Sequence, residues 1–253
     1  MHPEMPSIFE LNPTIVPASS AQVDQNLMEM AATTRRSFLG RGVTTAATGA
    51  ALVGVAGSPV NAATRARRPT SALPSLYPGS TARLFREIQL DESSHVNILI
   101  TAIQSLGGTP RPYPTFTGIQ GLSATQFLQT AGAFENTGVS AYFGAAPAIS
   151  NPAVAAVATS IATVEARHSG FINTTANVPL VPNFLPYAVP ATVPQVVVAV
   201  TPYIVSLNDG GQFPANFSST PSASNDIAIL NFALLLEFLE ATFYFYNVPR
   251  LFP

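Results

Sequence analysis

Two Glu-x-x-His pairs, each placed inside an apolar helical stripe, constrain this chain more than any other feature. Three residues make almost one helical turn, so the carboxylate and the imidazole of each pair project from the same face of a helix. Apolar residues at spacings of three and four share that face, which predicts that it is buried. The two stripes run through Leu84, Ile88, Glu92, His95, Leu99, Ala102 and Leu106, and through Val154, Val157, Ile161, Glu165, His168 and Ile172.

Few side chains are available to compensate buried carboxylates. Only 9% of the residues are charged, against roughly 25% in an ordinary soluble protein. A lone buried Glu usually has an Arg partner, and a lone buried His is usually a hydrogen-bonded core residue. Here Arg167 adjoins His168 and points elsewhere, and Arg86 lies nearly two turns from Glu92. An unpaired buried carboxylate costs several kcal/mol, so a metal cation is the simplest predicted partner.

Two further helices each carry a Glu with a Tyr seven residues later. The pairs are Glu135 with Tyr142 and Glu237 with Tyr244, and in each helix both residues fall in the same stripe. The chain therefore holds a twofold pattern, in which one helix has Glu-x6-Tyr and another has Glu-x2-His. Glu240 lies one turn beyond Glu237 and is the alternative to it as a ligand. The alternative interpretation is that four amphipathic helices carry scattered polar residues that form no common site.

The periodicity and the capping signals predict four helices and one long connection. Ser123 with Gln126 forms a capping box, and Asn151-Pro152 is typical of a helix start. The connection is rich in Pro and contains one β-like run, Gln195 to Val200. Two Glu in the middle of the last helix argue against a membrane span, and the helix is expected to end before Pro249. The predicted helices cover about 81–106, 124–144, 152–172 and 225–247, with the connection at 173–221.

The first 62 residues resemble a twin-arginine export signal. Arg35 and Arg36 are followed by Phe38 and Leu39, then by a weakly apolar stretch rich in Gly, Ala and Thr, with a cleavage site after Ala62. A lead-in at 63–79 would precede the bundle at 80–248. This signal implies the twin-arginine export machinery as a partner and a periplasmic or extracellular location. Proteins exported by this route often carry a metal or a cofactor.

With these four helices, the residues resemble the ferritin-like carboxylate bundle, an all-α four-helix fold. More closely, the stretches 231–244, 135–142 and 164–168 are similar to extracytoplasmic ferritin-like domains that include desiccation-related proteins. The resemblance implies two metal ions and the role of each ligand. Glu92 and Glu165 would bridge the metals, Glu135 and Glu237 would be terminal, and His95 and His168 would give one nitrogen each. Tyr142 and Tyr244 would lie just outside the ligands.

The order of the helices departs from that family. The helix that comes first in the family resembles the last helix here, so the order is that of a circular permutation. The 173–221 connection is long enough to run the length of the bundle. The sequence leaves open whether the last helix packs in its own bundle or is exchanged with a second copy in a homodimer.

Carboxylate and imidazole ligands without sulfur favour two iron or two manganese ions. The leading hypothesis is an exported protein that oxidises Fe(II) or removes peroxide or oxygen species during stress, with a manganese-catalase-like reaction as the nearest enzymatic variant. The alternative is a stress or desiccation scaffold whose site is vacant or structural. A Ser-His hydrolase is less favoured, because both histidines are better placed as ligands. The chain has no Cys and no Lys, so thiolate sites and a basic nucleic-acid surface are not expected.

Overall fold

Helices dominate the structure, a computed structural model that describes residues 79–210 and 218–253. The predicted export signal and most of the lead-in lie outside the described residues. The prediction of an all-α fold is confirmed, and the four long helices match the predicted ranges to within a few residues at each end. In chain order the elements are α1 (Ser80–Ser105), β1 (Thr115–Phe116), α2 (Ala124–Ala145), α3 (Pro152–Thr175), α4 (Val193–Val200), β2 (Ile204–Ser206) and α5 (Ala223–Leu251).

The long helices pack as two pairs, α1 with α5 and α2 with α3. The first pair is antiparallel. Arg86 near the start of α1 donates to the Phe252 carbonyl at 2.9 Å, and a Cβ on Gly108, just past the end of α1, would lie 2.8 Å from Ile227 in the first turns of α5. Helix α5 therefore packs in the bundle of its own chain.

The capping residues behave as the sequence predicts. Ser123 and Gln126 form the capping box of α2, and the Asn151 side chain accepts from the Ala153 N–H at the start of α3. The cap of α5 is Ser222, which accepts from the Asn225 N–H, so this helix begins two residues before its predicted start at 225. These bonds satisfy backbone donors that have no partner inside the helix.

Two long connections join the helix pairs and are tied to each other by the small sheet. Strand β1, between α1 and α2, pairs antiparallel with β2, between α3 and α5, with Thr115 opposite Ser206. The prediction of a β-like run at Gln195–Val200 is wrong, because these residues belong to α4. Thr192 and Gln195 form a capping box there, and the buried Val196 and Val200 pack into the core. The local cap outweighs the strand preference of the Val run.

Helix α5 also continues past its predicted end and includes Pro249. Proline removes the hydrogen bond to the carbonyl four residues earlier, here that of Phe245. Both residues lie on the exposed side of the helix, so water can solvate that carbonyl. By length and apolar composition α5 could cross a membrane, but 83% of its most apolar window is buried inside the protein.

A polar layer divides the apolar core into two clusters. Along α1, Phe85 and Ile88 belong to one cluster, and Leu99 and Ile103 belong to the other. Glu92 lies between them and is fully buried, at 0% exposure. The layer contains the ionisable residues that the sequence singled out.

Candidate metal centre

The structure brings all six predicted ligands to one place at the middle of the bundle. Each is buried, with an exposed fraction of 5% or less. Each comes from one of the four long helices, with two from α1 and two from α3. The six residues are Glu92, His95, Glu135, Glu165, His168 and Glu237.

The six residues form two overlapping groups. Within each group, one ligand atom from every member lies within 4.8 Å of the others. Glu92 and Glu165 belong to both groups. The first group is completed by Glu135 and His168 and the second by His95 and Glu237. Two neighbouring positions with two shared carboxylates are therefore present.

Three carboxylates crowd around the Nδ1 atom of His95. Its distances to oxygens of Glu165, Glu237 and Glu92 are 3.0, 3.2 and 3.3 Å. One ring N–H cannot serve three carboxylates from three helices at once. A cation between these atoms would satisfy all of them.

His168 turns its Nδ1 atom towards the other group. That atom lies 2.9 Å from Glu92 Oε1 and 3.3 Å from Glu135 Oε2. On the outer side of the ring, Nε2 lies at hydrogen-bond distance, 3.1 Å, from Asp91 Oδ2. The helical stripes do not predict a role for Asp91, because this contact crosses from α1 to α3. The signal that the sequence offers is the position of Asp91, an acidic residue directly before the pair Glu92 and His95.

The two tyrosines hold the two unshared glutamates in a crossed arrangement. Tyr142 of α2 donates to Glu237 of α5 at 2.5 Å, and Tyr244 of α5 donates to Glu135 of α2 at 2.5 Å. Each Glu-x6-Tyr helix therefore supports the glutamate of the other. Burial raises the pKa of both hydroxyls well above the usual value, so both remain donors.

The inner surface of this cluster holds buried polar atoms that lie close to one another but make no hydrogen bond of acceptable geometry. Among the described residues these include Glu92 Oε1, Glu135 Oε2, both carboxylate oxygens of Glu165, and His168 Nδ1. Buried polar atoms are normally paired, so a group of unpaired donors and acceptors facing one another fits a metal site. Oxygen and imidazole ligands suit iron or manganese.

Comparison of the sequence with known protein families supports a ferritin-like bundle. The profile of the ferritin-like domain family matches residues 42–178. The chain belongs to the ferritin-like domain family. Neither the curated proteins nor the solved structures yield a match. The family match includes α1, α2 and α3 and ends before α5, although α5 supplies Glu237 to the centre of this ferritin-like bundle.

The carboxylates and imidazoles of the ferritin-like centre strongly shift one another's pKa values. Burial, and then the Glu165 charge, raise the pKa of Glu92 to about 7. Burial and the charges of Glu237 and Glu135 raise that of Glu165 well above its usual value. Burial would lower the pKa of His95, but the Glu237 charge and three carboxylate contacts outweigh it and raise it. The pKa of His168 rises in the same way, since burial is outweighed by Glu135 and Asp91.

Glu240, the alternative ligand, lies beside the centre but in neither group of ligand atoms. It is buried, with 3% of its surface exposed. Burial and the Glu165 charge raise its pKa well above the usual value. Gly138 of α2 makes room for these carboxylates, because a Cβ there would lie 3.1 Å from Glu165 Oε2 and 3.5 Å from Glu240 Oε1.

A cleft between α1 and α3 gives access to the centre from the surface. Its volume is about 340 Å³, and both His95 and His168 contribute to its lining. Asp91, Glu87 and Arg167 also line it. The histidine side of the centre therefore borders a cleft with room for an ion or a small oxygen species.

Proposed function

We propose that this ferritin-like protein binds two iron or two manganese ions and uses them to oxidise Fe(II) or to remove peroxide and other oxygen species during stress. The observation that carries the proposal is the pair of overlapping ligand groups sharing Glu92 and Glu165. Glu92 and Glu165 would be ligands shared by the two ions. Glu135 with His168, and Glu237 with His95, would complete the two positions.

Charge balance supports two divalent cations. Glu92, Glu135, Glu165 and Glu237 carry four negative charges when ionised, and two divalent cations carry four positive charges. The histidines are then neutral, as metal-ligating imidazoles must be. The Tyr142 and Tyr244 hydroxyls keep Glu237 and Glu135 oriented towards the centre.

The bound metals would supply one-electron redox chemistry to the centre. In the ferroxidase reaction, two Fe(II) ions lose one electron each, and hydrogen peroxide takes both electrons and two protons to give two waters. In the catalase reaction, one peroxide is oxidised to dioxygen while another is reduced to two waters. The protein would position the ions and restrict access to the cleft between α1 and α3.

A second function is favoured by the contacts of the histidines. The carboxylates around His95 and His168 raise the pKa of both, so protonated imidazoles can balance part of the buried negative charge without metal. A bundle compensated in this way could serve as a non-catalytic stress or desiccation-related scaffold. The ligand residues would then have a structural role.

We also propose export by the twin-arginine machinery, which implies a periplasmic or extracellular location. The proposal is supported by Arg35-Arg36, Phe38 and Leu39, and by the site after Ala62, all outside the described residues.

Circular permutation is supported by the contact of Arg86 in α1 with the Phe252 carbonyl after α5. The end of the last helix thus lies where an unpermuted chain would continue into α1.

Metal analysis of protein purified from its natural export route would test the proposal. We expect close to two metal ions per chain, lost in Glu92→Ala and His168→Ala but kept in Glu87→Ala, which changes an exposed residue of the same helix. If metal is present, catalase turnover and Fe(II) oxidation rates distinguish the two reactions. Fewer than about one ion per chain, unchanged by the two ligand substitutions, would favour the scaffold.

A further inference from the structure

The two histidines of the centre are supported differently on their outer sides. His168 Nε2 lies 3.1 Å from Asp91 Oδ2. When His168 is neutral, as a metal ligand must be, Nε2–H donates to this carboxylate and the lone pair is on Nδ1, the atom that lies 2.9 Å from Glu92 Oε1. Asp91 therefore fixes both the orientation and the tautomer that a metal ligand needs.

His95 has no such support. Among the described residues, its carboxylate contacts within 4 Å are Glu92, Glu165 and Glu237, all at Nδ1 on the inner side. The two Glu-x-x-His pairs explain the difference. Asp91 precedes the first pair in α1, whereas the residue at the same position before the second pair in α3 is Val164. Val164 and His95 line the same cleft.

We infer that Asp91 is a positioning residue that makes the two metal positions unequal. The position with His168 and Glu135 binds its ion more tightly and fills first, and the position with His95 and Glu237 fills second. This inference rests on the proposed dimetal function. A carboxylate behind a metal-ligating histidine typically changes metal affinity 10- to 100-fold.

The exposure of Asp91 sets the expected size of the effect. Its side chain is 41% exposed, so water screens its interaction with His168. We therefore expect the two affinities to differ by about 10-fold, the lower end of the usual range. The contact between Asp91 and His168 joins α1 to α3, so it forms only when the bundle is folded.

A titration of the metal-free protein with Mn²⁺ tests the inference without measuring activity. The electron paramagnetic resonance signal of free Mn²⁺ reports how much remains unbound. The wild-type protein should bind in two steps about 10-fold apart in affinity. Asp91→Ala should weaken the tight step by about 10-fold and leave the weak one, so the two steps merge. Asp91→Asn, which keeps an acceptor but loses the charge, should give an intermediate result.

The reciprocal variant gives a gain rather than a loss. Val164→Asp places a carboxylate at the corresponding position of α3, and we expect it to strengthen the weak step. Glu87→Gln is the matched control, because Glu87 is an exposed acid that lines the same cleft but does not contact either histidine. Its titration should equal that of the wild type, which separates positioning from general attraction of cations.

The possible results distinguish this inference from the proposed function. Two equal steps in the wild type, or equal weakening of both steps by Asp91→Ala and Glu87→Gln, would overturn the inference and leave the dimetal centre intact. Failure of folded wild-type protein to bind Mn²⁺ and Fe²⁺ would overturn both. Circular dichroism confirms that each variant keeps its helices.

Discussion

Glu165 is a poorly compensated residue of the centre when no metal is bound, because burial and the charges of Glu237 and Glu135 raise its pKa well above the usual value. Its Oε1 lies 3.0 Å from His95 Nδ1, a ring nitrogen that Glu92 and Glu237 also approach, and its Oε2 has no hydrogen-bond partner. We predict that Glu165→Gln abolishes metal binding and stabilises the metal-free protein at pH 8 by about 1–3 kcal/mol, because it removes a buried charge whose one contact with a donor is shared with two other carboxylates. In this variant His95 still contacts the carboxylates of Glu92 and Glu237, so it does not lose its charge partners. Metal analysis and urea unfolding of the metal-free protein measure the two effects.

Glu87→Gln is the control for this substitution. Glu87 is exposed and contacts Arg83 one turn away, so its replacement should change the free energy of unfolding by less than about 0.5 kcal/mol. If metal-free Glu165→Gln were less stable than the wild type, the Glu165 carboxylate would be better compensated than its contacts indicate.

The tyrosine hydroxyls provide a second prediction for single residues. Tyr142→Phe and Tyr244→Phe each remove a donor to a buried glutamate, at 2.5 Å in both cases. Each should lower the free energy of unfolding by about 1–3 kcal/mol, because a buried carboxylate loses a hydrogen bond. Urea denaturation measures the change. Tyr187→Phe, at an exposed tyrosine of the connection, should have almost no effect. Equal effects in all three variants would contradict the prediction.

At the scale of the helix, Gly138 of α2 links the backbone to the centre. Gly in a helix interior is normally less stable than Ala by about 0.5–1 kcal/mol. At Gly138 this gain should not appear, because the new Cβ would lie 3.1 Å from Glu165 Oε2. We predict that Gly138→Ala weakens Mn²⁺ binding without stabilising the protein.

Gly132, six residues earlier in α2, is the matched control. A Cβ there would make ordinary contacts, 3.5 Å to Asn173 and 3.7 Å to Ile172. Gly132→Ala should therefore raise the free energy of unfolding by up to about 1 kcal/mol and leave Mn²⁺ binding unchanged. The same stabilisation at both positions would show that the centre tolerates a side chain at 138.

The four long helices and the convergence of their polar residues could be predicted because both follow the 3.6-residue period. Glu92 and His95 lie in the apolar stripe of α1, so burying the stripe buries them together. Residues outside such a period were harder to predict. Helix α4 was missed because its Val residues favour strands, while Thr192 and Gln195 cap it as a helix. Asp91 was missed because its partner is on another helix.

The whole bundle depends on contacts that join its two helix pairs. Asp226 in the first turn of α5 is fully buried and accepts from the Ser150 N–H at 2.7 Å and the Asn151 N–H at 2.9 Å, just before α3. At the opposite end, Phe85 of α1 packs against Phe127 of α2 and Phe252 after α5. These contacts hold the polar layer between two apolar clusters, so the carboxylates stay buried and mutually close.

At the scale of the whole molecule, the stability of the metal-free protein should fall as pH rises, whereas the stabilisation that metal provides should increase. The pKa of Glu92 rises from 4.5 to about 7 on folding, so its favourable contribution is complete below pH 4.5 and is lost as pH rises through 7. The metal-free protein should become less stable between pH 5 and pH 8. Metal binds the deprotonated ligands, so it should raise the melting temperature most at pH 8 and least at pH 5. Melting curves with Mn²⁺ or with chelator, at each pH, measure this, and an equal shift at both pH values would contradict it.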